Sequence, residues 1–314
     1  MEKIIVLAEN AGKRIDKFLA EEFFLYSRSE IVEKIKEGKV LVGGKKVKPS
    51  YKLEENDEVE ITGFDGQQKK LLPNGKIKFE IIFEDKNILV INKPAGLQVH
   101  PSDCKQNDTL TNALIVQYPE ISEIHDETVD AYLRPGIVHR LDKDTSGVMV
   151  IAKNKETFEQ LKKNFKDRNI TKKYLALVVG NVEEESGIIE KPLARSAGFS
   201  KQLVARENTK TKIRQAVTHY AVVEKFENFS LLEVFPKTGR MHQIRVHLAS
   251  LGNPIVGDLI YGKKKEASAS EKTVQRQLLH AKKLAFQLNG ENYDFEAKMP
   301  KDFADFLAKI KEKR

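Results

Sequence analysis

Several short stretches crowd together residue types that move protons or form bonds. The most loaded, GIVHRLDKDTSGVMVIAKN, runs from Gly136 to Asn154. It sets His139, Arg140, Asp142, Lys143 and Asp144 directly before the apolar run Val148, Met149, Val150 and Ile151. Most of that run favours β-structure, and ionised groups beside a buried strand are costly unless paired. Side chains alternate along a strand. That puts Arg140 and Asp142 on one face and Leu141 and Lys143 on the other, with Asp142 at the exposed end of a strand that continues into the core. Asp144, Thr145 and Ser146 favour a turn that Gly147 relieves. A carboxylate held rigidly there and half solvated can act as nucleophile or base. The plain structural alternative is an ion-paired strand end with an Asx turn.

Similar segments recur on either side of it in the chain. NKPAGLQVHP (92–101) combines two prolines and a glycine with Lys93 and His100. KTGRMHQIRVHL (237–248) gathers Arg240, His242, Arg245 and His247, and GNPIVGDLIYG (252–262) adds three glycines and Asp258. Polar loops on a rigid scaffold are where function concentrates. A glycosidase using Asp142 and Asp144 is one chemistry the spacing permits, since it needs two carboxyls about 5–9.5 Å apart. The arginine-rich segment argues against a neutral glycan. A second alternative is a factor that only binds RNA during ribosome assembly, for which Asp142→Asn would be harmless. The zinc-deaminase ligand pattern H-x-E…P-C-x-x-C is absent.

The elements that must hold these residues alternate in type. The chain has 314 residues, 40% hydrophobic and 32% charged, with a formal net charge of +8. That length suggests about two domains at roughly 150 residues each, and the charge favours a polyanionic partner. No apolar run approaches the ~18 residues of a membrane span. The single cysteine, Cys104, excludes an intrachain disulfide and a cysteine-rich zinc site. A cytoplasmic location is expected.

Residues 1–62 read as one unit, 63–76 as a linker and 77–314 as a larger mixed α and β unit. RIDKFLAEEF carries Ile15, Phe18, Leu19 and Phe23 at helical spacing. SRSEIVEKIKEG reads as a second helix capped by Ser27 or Ser29 and ended by Gly38. KVLVGGKKVK reads as a hairpin turning at Gly43-Gly44, and DEVEI as another strand. In the larger unit, DTLTNALIVQY reads as a helix capped by Asp108. NKETFEQLKKNF reads as one capped by Asn154, with Phe158, Leu161 and Phe165 inward. KKYLALVVG and SLLEVFP are strands, RMHQIRVHLASLG a helix closed by Gly252, and 263–272 a mobile surface loop.

The first unit brings together Arg14, Arg28, Lys34, Lys36, Lys39, Lys45, Lys46 and Lys48, a cluster suited to a phosphate backbone. From Gly12 to Ile61 it resembles the alpha-L RNA-binding domain shared by a small-subunit ribosomal protein and bacterial tyrosyl-tRNA synthetases. That resemblance implies a structured RNA, read through shape and phosphates. GIVHRLDKDTSGVMVIAKN resembles the signature of the RluA/RluD family of pseudouridine synthases. VINKPAGLQVHP, KKYLALVVG, TGRMHQIRVHLASLGNPIVGDLIYG and LLHAKKLAF match that family's other segments in order, so the resemblance spans nearly the whole chain. Met241 departs from the family's usual threonine.

The resemblance implies an α+β catalytic domain on a mixed, mostly antiparallel sheet with flanking helices, behind a small N-terminal α/β RNA-binding domain. It implies isomerisation of uridine in RNA to its C-glycoside, without cofactor or metal, on a nucleotide flipped out of its stack. Asp142 is then the essential carboxylate, acting by covalent attack or through a glycal. Arg245 is its cationic partner, with an RNA-phosphate contact as the alternative role. Tyr174 stacks on the target base. Arg140 braces the space the base leaves, and Lys93 and Lys173 contact phosphates. His139, Thr145 and Gly147 are structural in the turn, while His242 and His247 are packed or RNA-facing. Large-subunit (23S-type) ribosomal RNA is the expected partner and transfer RNA the alternative, for a chain acting as a monomer.

Overall fold

The computed structural model describes residues 2–23, 26–64, 71–103, 106–128, 130–196, 198, 201–262 and 274–312. Cys104, the loop expected at 263–272 and residues 65–70 of the expected linker lie outside them. The chain forms two compact units, residues 1–70 with 127–132, and residues 71–126 with 133–314.

In the first unit, β1 (Glu2–Ile5), β2 (Val40–Val42), β3 (Lys45–Lys46) and β4 (Glu58–Ile61) form an antiparallel sheet in the order β1-β4-β2-β3. Helices α1 (Ile15–Glu22) and α2 (Arg28–Lys36) bury Ile15, Phe18, Leu19, Ile31 and Ile35 in one core with Val40, Val42, Val59 and Ile61. Of the two candidate caps, Ser27 is the one used. Glu30 Oε2 accepts its backbone N–H at 2.8 Å, and Ser27 Oγ accepts from Glu30 N at 3.3 Å. Gly43 and Gly44 have φ of 53° and 74°, the paired positive angles of a type I′ turn.

The second unit is built on a nine-stranded sheet. Its strands are β5 (Glu80–Glu84), β6 (Ile88–Lys93), β7 (Ser146–Ala152), β8 (Ile170–Val179), β9 (Ser186–Ile189), β12 (Thr218–Lys225), β13 (Phe229–Pro236), β14 (Leu279–Leu288) and β15 (Glu291–Glu296). Between β9 and β12 in the chain, β10 (Leu193–Arg195) and β11 (Gln202–Val204) pair separately. The large sheet runs β5-β6-β7-β14-β8-β13-β12-β9, with β15 also on β14. Every pairing is antiparallel except β7 with β14. The fold is therefore α+β with a mixed, mostly antiparallel sheet.

Helices α3 (Leu110–Gln117) and α4 (Lys155–Asp167) bury Leu110, Leu114, Phe158 and Leu161 against β6 and β7. Helix α5 (Gln243–Ser250) contributes Ile244 and Leu248 to a second core, and α6 (Lys301–Lys311) contributes Phe303, Phe306 and Ile310 to a third. Asn154 caps α4 as expected, accepting from Thr157 N at 2.9 Å. Helix α3 begins one residue later than expected. Thr109 is its cap, with its N–H accepted by Asn112 Oδ1 at 3.0 Å, and Asp108 Oδ1 instead accepts from Gln106 Nε2 at 2.8 Å.

The parallel pairing of β7 with β14 sets the geometry around Asp142. Ser146 pairs with His280 and Gly147 with Ala281. A Cβ on Gly147 would lie 2.2 Å from the Ala281 carbonyl oxygen, and its φ is 125°. The position therefore needs glycine for backbone approach within the strand, rather than for the turn.

Candidate active site

Asp142 is not on a strand. Strand β7 starts at Ser146, and the chain before it joins β7 not as a strand but at one isolated β-bridge, Ile137 to Ile151. The departure has a local cause. Val150 N–H donates to His139 Nε2 at 3.0 Å, so an imidazole occupies the place a strand carbonyl would take. That bond assigns the His139 proton to Nδ1. Burial holds its pKa at about 3, and the ring stacks on Phe165 at 4.5 Å. The backbone then closes a turn, with Thr145 N donating to Asp142 O at 3.1 Å.

Each carbonyl of this turn from Asp142 to Asp144 is held. Lys143 O accepts from Lys93 Nζ at 3.0 Å, and Asp144 O accepts from Arg276 Nη1 at 3.0 Å. Gln277 Nε2 donates to Thr145 Oγ1 at 3.3 Å. Lys93 is thereby corrected from a phosphate contact to a buried tie. It is 0% exposed, and its other donors go to Pro94 O and Leu97 O, both at 2.7 Å. Burial pulls its ammonium down to about 7, against the pull of Asp144 and Asp142.

Asp142 Oδ2 accepts from Arg245 Nη1 at 3.0 Å. Arg245 lies on α5, and the rest of its guanidinium forks onto Asp258: Nε to Oδ2 at 2.7 Å and Nη2 to Oδ1 at 2.9 Å. Asp258 Oδ1 also accepts from the backbone N–H groups of Ile260 (2.9 Å) and Tyr261 (3.0 Å). Burial opposes charge on both side chains. Asp258, then Asp142, nonetheless holds the Arg245 guanidinium above its ordinary pKa, and Arg245 holds the Asp258 carboxyl below its own. Of the three N–H groups the fork leaves, one on Nη1 meets Asp142, and no hydrogen bond to Asp142 Oδ1 occurs among the described residues.

Asp142 and Arg245 line a cleft of about 280 Å³ together with Arg140, Lys172, Tyr174, Arg195, Arg240, Met241 and His242; Asp258 lies behind them and is not part of the lining. That is near the lower end of ligand pockets, about 300–1,000 Å³. Burial and then the Asp142 charge raise the pKa of the Tyr174 phenol, so it enters chemistry as a neutral O–H. His242 Nε2 stands 3.9 Å from Asp142 Oδ2, and its Nδ1 lies 3.0 Å from the Tyr261 hydroxyl. Burial lowers its pKa, so it is a neutral neighbour. Its φ of 54° marks the left-handed corner that starts α5. His247 is buried between Thr218 Oγ1 and Lys191 O, each at 2.9 Å, and is structural. Gln243 Oε1 accepts from Thr238 Oγ1 (2.7 Å) and Arg240 N (3.0 Å), which anchors the loop before α5.

Arg140 donates from Nη1 to His100 Nε2 at 2.9 Å, and His100 Nδ1 donates to Pro101 O at 3.1 Å. Burial holds His100 at about 4, which keeps it the neutral acceptor this bond requires. On β8 the cation facing the cleft is Lys172 rather than the expected Lys173. Residues two apart share a face, so Lys172 goes with Tyr174. Lys173 lies on the other face, paired with Glu233 Oε1 at 2.9 Å. Lys172, Asp258, His100 and Arg276 are the residues that sequence reading left unassigned. The two-residue period from Tyr174 is the one signal that points to Lys172.

In the first unit, Arg14 and Arg28 both fork onto buried Asp16, at 3.0 and 3.1 Å and at 3.0 and 2.7 Å. Against the opposing effect of burial, these bonds hold the Asp16 carboxyl below the usual range. Lys34 donates to Gly63 O and lies 5.0 and 5.1 Å from the centres of the Tyr26 and Phe64 rings. Lys45 and Lys46 are exposed on β3. Among the described residues no cluster of His, Cys, Asp and Glu could hold a metal ion, and no helix is long and apolar enough to cross a membrane.

Comparison with known proteins shows the family. Residues 87–250 match the RNA pseudouridylate synthase family and residues 13–59 the S4 domain. An uncharacterized RNA pseudouridine synthase of Bacillus subtilis, YlyB, is 36% identical over 96% of this chain and 96% of its own length. The ribosomal large subunit pseudouridine synthase D of Pasteurella multocida is 36% identical over 96% of this chain and 92% of its own. The solved structure of human RNA pseudouridylate synthase domain containing 4 covers 74% of this chain and 93% of its own, with a TM-score of 0.60 and 27% identity. The chain belongs to the RNA pseudouridylate synthase family, and it is an isomerase acting on RNA.

Proposed function

We propose that this enzyme isomerises specific uridines of large-subunit ribosomal RNA in the cytoplasm, as a monomer, with Asp142 as its essential group. The observation that carries the proposal is the Asp142–Arg245–Asp258 chain opening on a cleft that also holds Tyr174. A cleft of about 280 Å³ suits a single nucleotide, not a stacked strand. The uridine therefore enters flipped, at a cost of a few kcal/mol of unstacking.

The N1–C1′ bond breaks, the uracil turns, and C5 bonds to C1′ before the C5 proton is lost. Asp142 serves either as the nucleophile that holds the fragment or as the base that removes the C2′ proton. In both roles it acts as a carboxylate, and Arg245 supplies the balancing charge. Tyr174 presents its ring to the base, and its neutral phenol relays the proton leaving C5 to water, the oxygen accepting as its own O–H proton is given up. Arg140, docked on His100, braces the gap in the RNA. Lys172 and Arg195 face the cleft and take flanking phosphates. The S4 domain adds affinity through Arg14, Arg28, Lys34, Lys45 and Lys46. The large-subunit assignment rests on relatives such as the Pasteurella multocida protein.

Tritium release tests this. RNA labelled at uridine C5 loses the label as the new C–C bond matures. Wild type should release it from unmodified large-subunit RNA, and Asp142→Ala should not. Release from transfer RNA alone would move the substrate, and release by Asp142→Ala would remove Asp142 from its role.

A further inference from the structure

Behind the turn that carries Asp142 lies a tether that the chemistry above does not use. Arg276 is 9% exposed. Its Nη1 donates to Asp144 O and to Gln277 O, both at 3.0 Å. Its other face forks onto Asp302, with Nε to Oδ2 at 2.6 Å and Nη2 to Oδ1 at 2.8 Å. Asp302 is in the first turn of α6, and Phe303 N donates to Asp302 Oδ1 at 2.9 Å. Against the opposing effect of burial, Arg276 holds the Asp302 carboxyl below its usual range. Arg276 and Asp302 line a second cavity of about 690 Å³, which includes Asp144 and shares no lining residue with the substrate cleft.

We propose that Arg276 and Asp302 form a positioning pair that fixes Asp142 through the backbone of its own turn. The proposal rests on Asp142 acting as described above. Asp142 meets Arg245 through a single hydrogen bond. One bond sets a distance but not an angle, so the carboxylate's aim depends on its main chain. That main chain is a turn closed by Thr145 N to Asp142 O. Lys93 holds the middle carbonyl and Arg276 the next, so the turn cannot rotate about its own closing bond while both remain. Lys93 is bound to carbonyls alone. Arg276 is braced by a carboxylate on a helix whose Phe303 and Phe306 are buried in a separate core. The C-terminal helix thus acts as the abutment for the reactive group.

The variants are Arg276→Gln, Asp302→Asn and the double substitution, with Phe303→Leu as a control that loosens α6 and leaves both polar partners in place. Single-turnover tritium release by Arg276→Gln should fall about 100-fold, as an ångström of misplacement costs. Affinity for the RNA should change less than twofold. Asp302→Asn should fall about tenfold, and the double variant no further than Arg276→Gln, because the two act as one unit. Phe303→Leu should lower Tm and leave the rate within about twofold at 25 °C. Arg276→Lys, which keeps a donor for Asp144 O, should recover part of the rate.

A readout without RNA separates this proposal from the reaction assigned to the enzyme. Amide exchange at Thr145, whose N–H closes the turn, should quicken at least tenfold in Arg276→Gln. Unchanged exchange there, additive rate losses in the double variant, or an equal slowing by Phe303→Leu would each overturn the pair's role. If wild type released no tritium from any RNA, the isomerase assignment of Asp142 would fall. The exchange result would still decide whether Arg276 holds the turn.

Discussion

Replacing Asp258 with asparagine isolates what aims Arg245. The Asp258 side chain is 0% exposed and that of Arg245 5%. Asp258 Oδ1 accepts three hydrogen bonds, from Arg245 Nη2, Ile260 N and Tyr261 N, and Oδ2 accepts one from Arg245 Nε. An asparagine carbonyl can take the Oδ1 position and keep those three. Its NH₂ group then faces the Arg245 Nε–H, donor against donor, and the counter-charge is gone. Removing one partner of a buried ion pair costs about 3–5 kcal/mol. Three surviving bonds and the nearby Asp142 carboxylate place this case near the low end, about 3 kcal/mol. At about 2–4 °C per kcal/mol for a unit of this size, Tm should fall by roughly 6–12 °C. Arg245 keeps one carboxylate within reach and should swing onto Asp142, taking up the oxygen that is otherwise unbonded. A loss of at least tenfold in kcat, about 1.4 kcal/mol in the barrier, should accompany the lower Tm. Thermal melts and tritium release on the same preparation read both. Wild-type Tm together with wild-type kcat would show that Arg245 is held by something other than Asp258, and the reasoning would fail.

Three further outcomes follow from single contacts. Lys172→Ala should lower the slope of log K against log salt by about 0.7 per phosphate lost from a single-stranded segment. Lys173→Ala, which breaks only the Glu233 pair, should leave the slope unchanged. Equal effects from the two would refute the facing of β8. Gly147→Ala should cost more than about 4 kcal/mol, the range of severe backbone conflict, because its Cβ would meet Ala281 O at 2.2 Å. Near-normal denaturant stability would contradict that approach. The buried histidines give an acid signature. His100 and His280 are held at about 4, and unfolding returns each to roughly 6.5. Below that value the unfolded chain binds protons that the folded chain refuses. Stability is then complete above about 6.5 and should decline toward pH 4, by about 2 kcal/mol per histidine between pH 7 and 4.5. Urea unfolding of His280→Gln should show a smaller difference between those two pH values than wild type.

Local signals in the sequence mark the elements well and the charged loop poorly. Capping and glycine chemistry act over a few residues, so Ser27, Asn154 and the Gly43-Gly44 turn are where composition puts them. The segment from His139 to Asp142 alternates like a strand, yet it is not one. What displaces it is a side chain reaching across to Val150 N–H, a non-local event with no trace in the pattern. The misassignment of Lys93 has the same origin. A lysine beside two prolines looks solvated until three carbonyls from two separate segments converge on it. Lys172 was within reach, because the two-residue period that places Tyr174 in the cleft places Lys172 there too and excludes Lys173.

The charges of the site separate into two sets, and the separation supports the carboxylate-partner role proposed for Arg245 over an RNA-phosphate contact. Arg245 is 4% exposed, and its Nε, Nη1 and Nη2 each donate to a carboxylate. To meet an RNA phosphate it would have to leave two buried or half-buried anions unpaired, at several kcal/mol for the buried one alone. Arg140 and Lys172 face the same cleft without a carboxylate in hydrogen-bonding contact among the described residues. A polyanion entering there meets cations that break no ion pair by binding it. The inner triad keeps its balance of one arginine against two aspartates, with Asp142 the aspartate that lines the cleft. On the proposed function, that division lets one cleft take RNA phosphates on Arg140 and Lys172 while the Asp142 carboxylate keeps its own partner, Arg245.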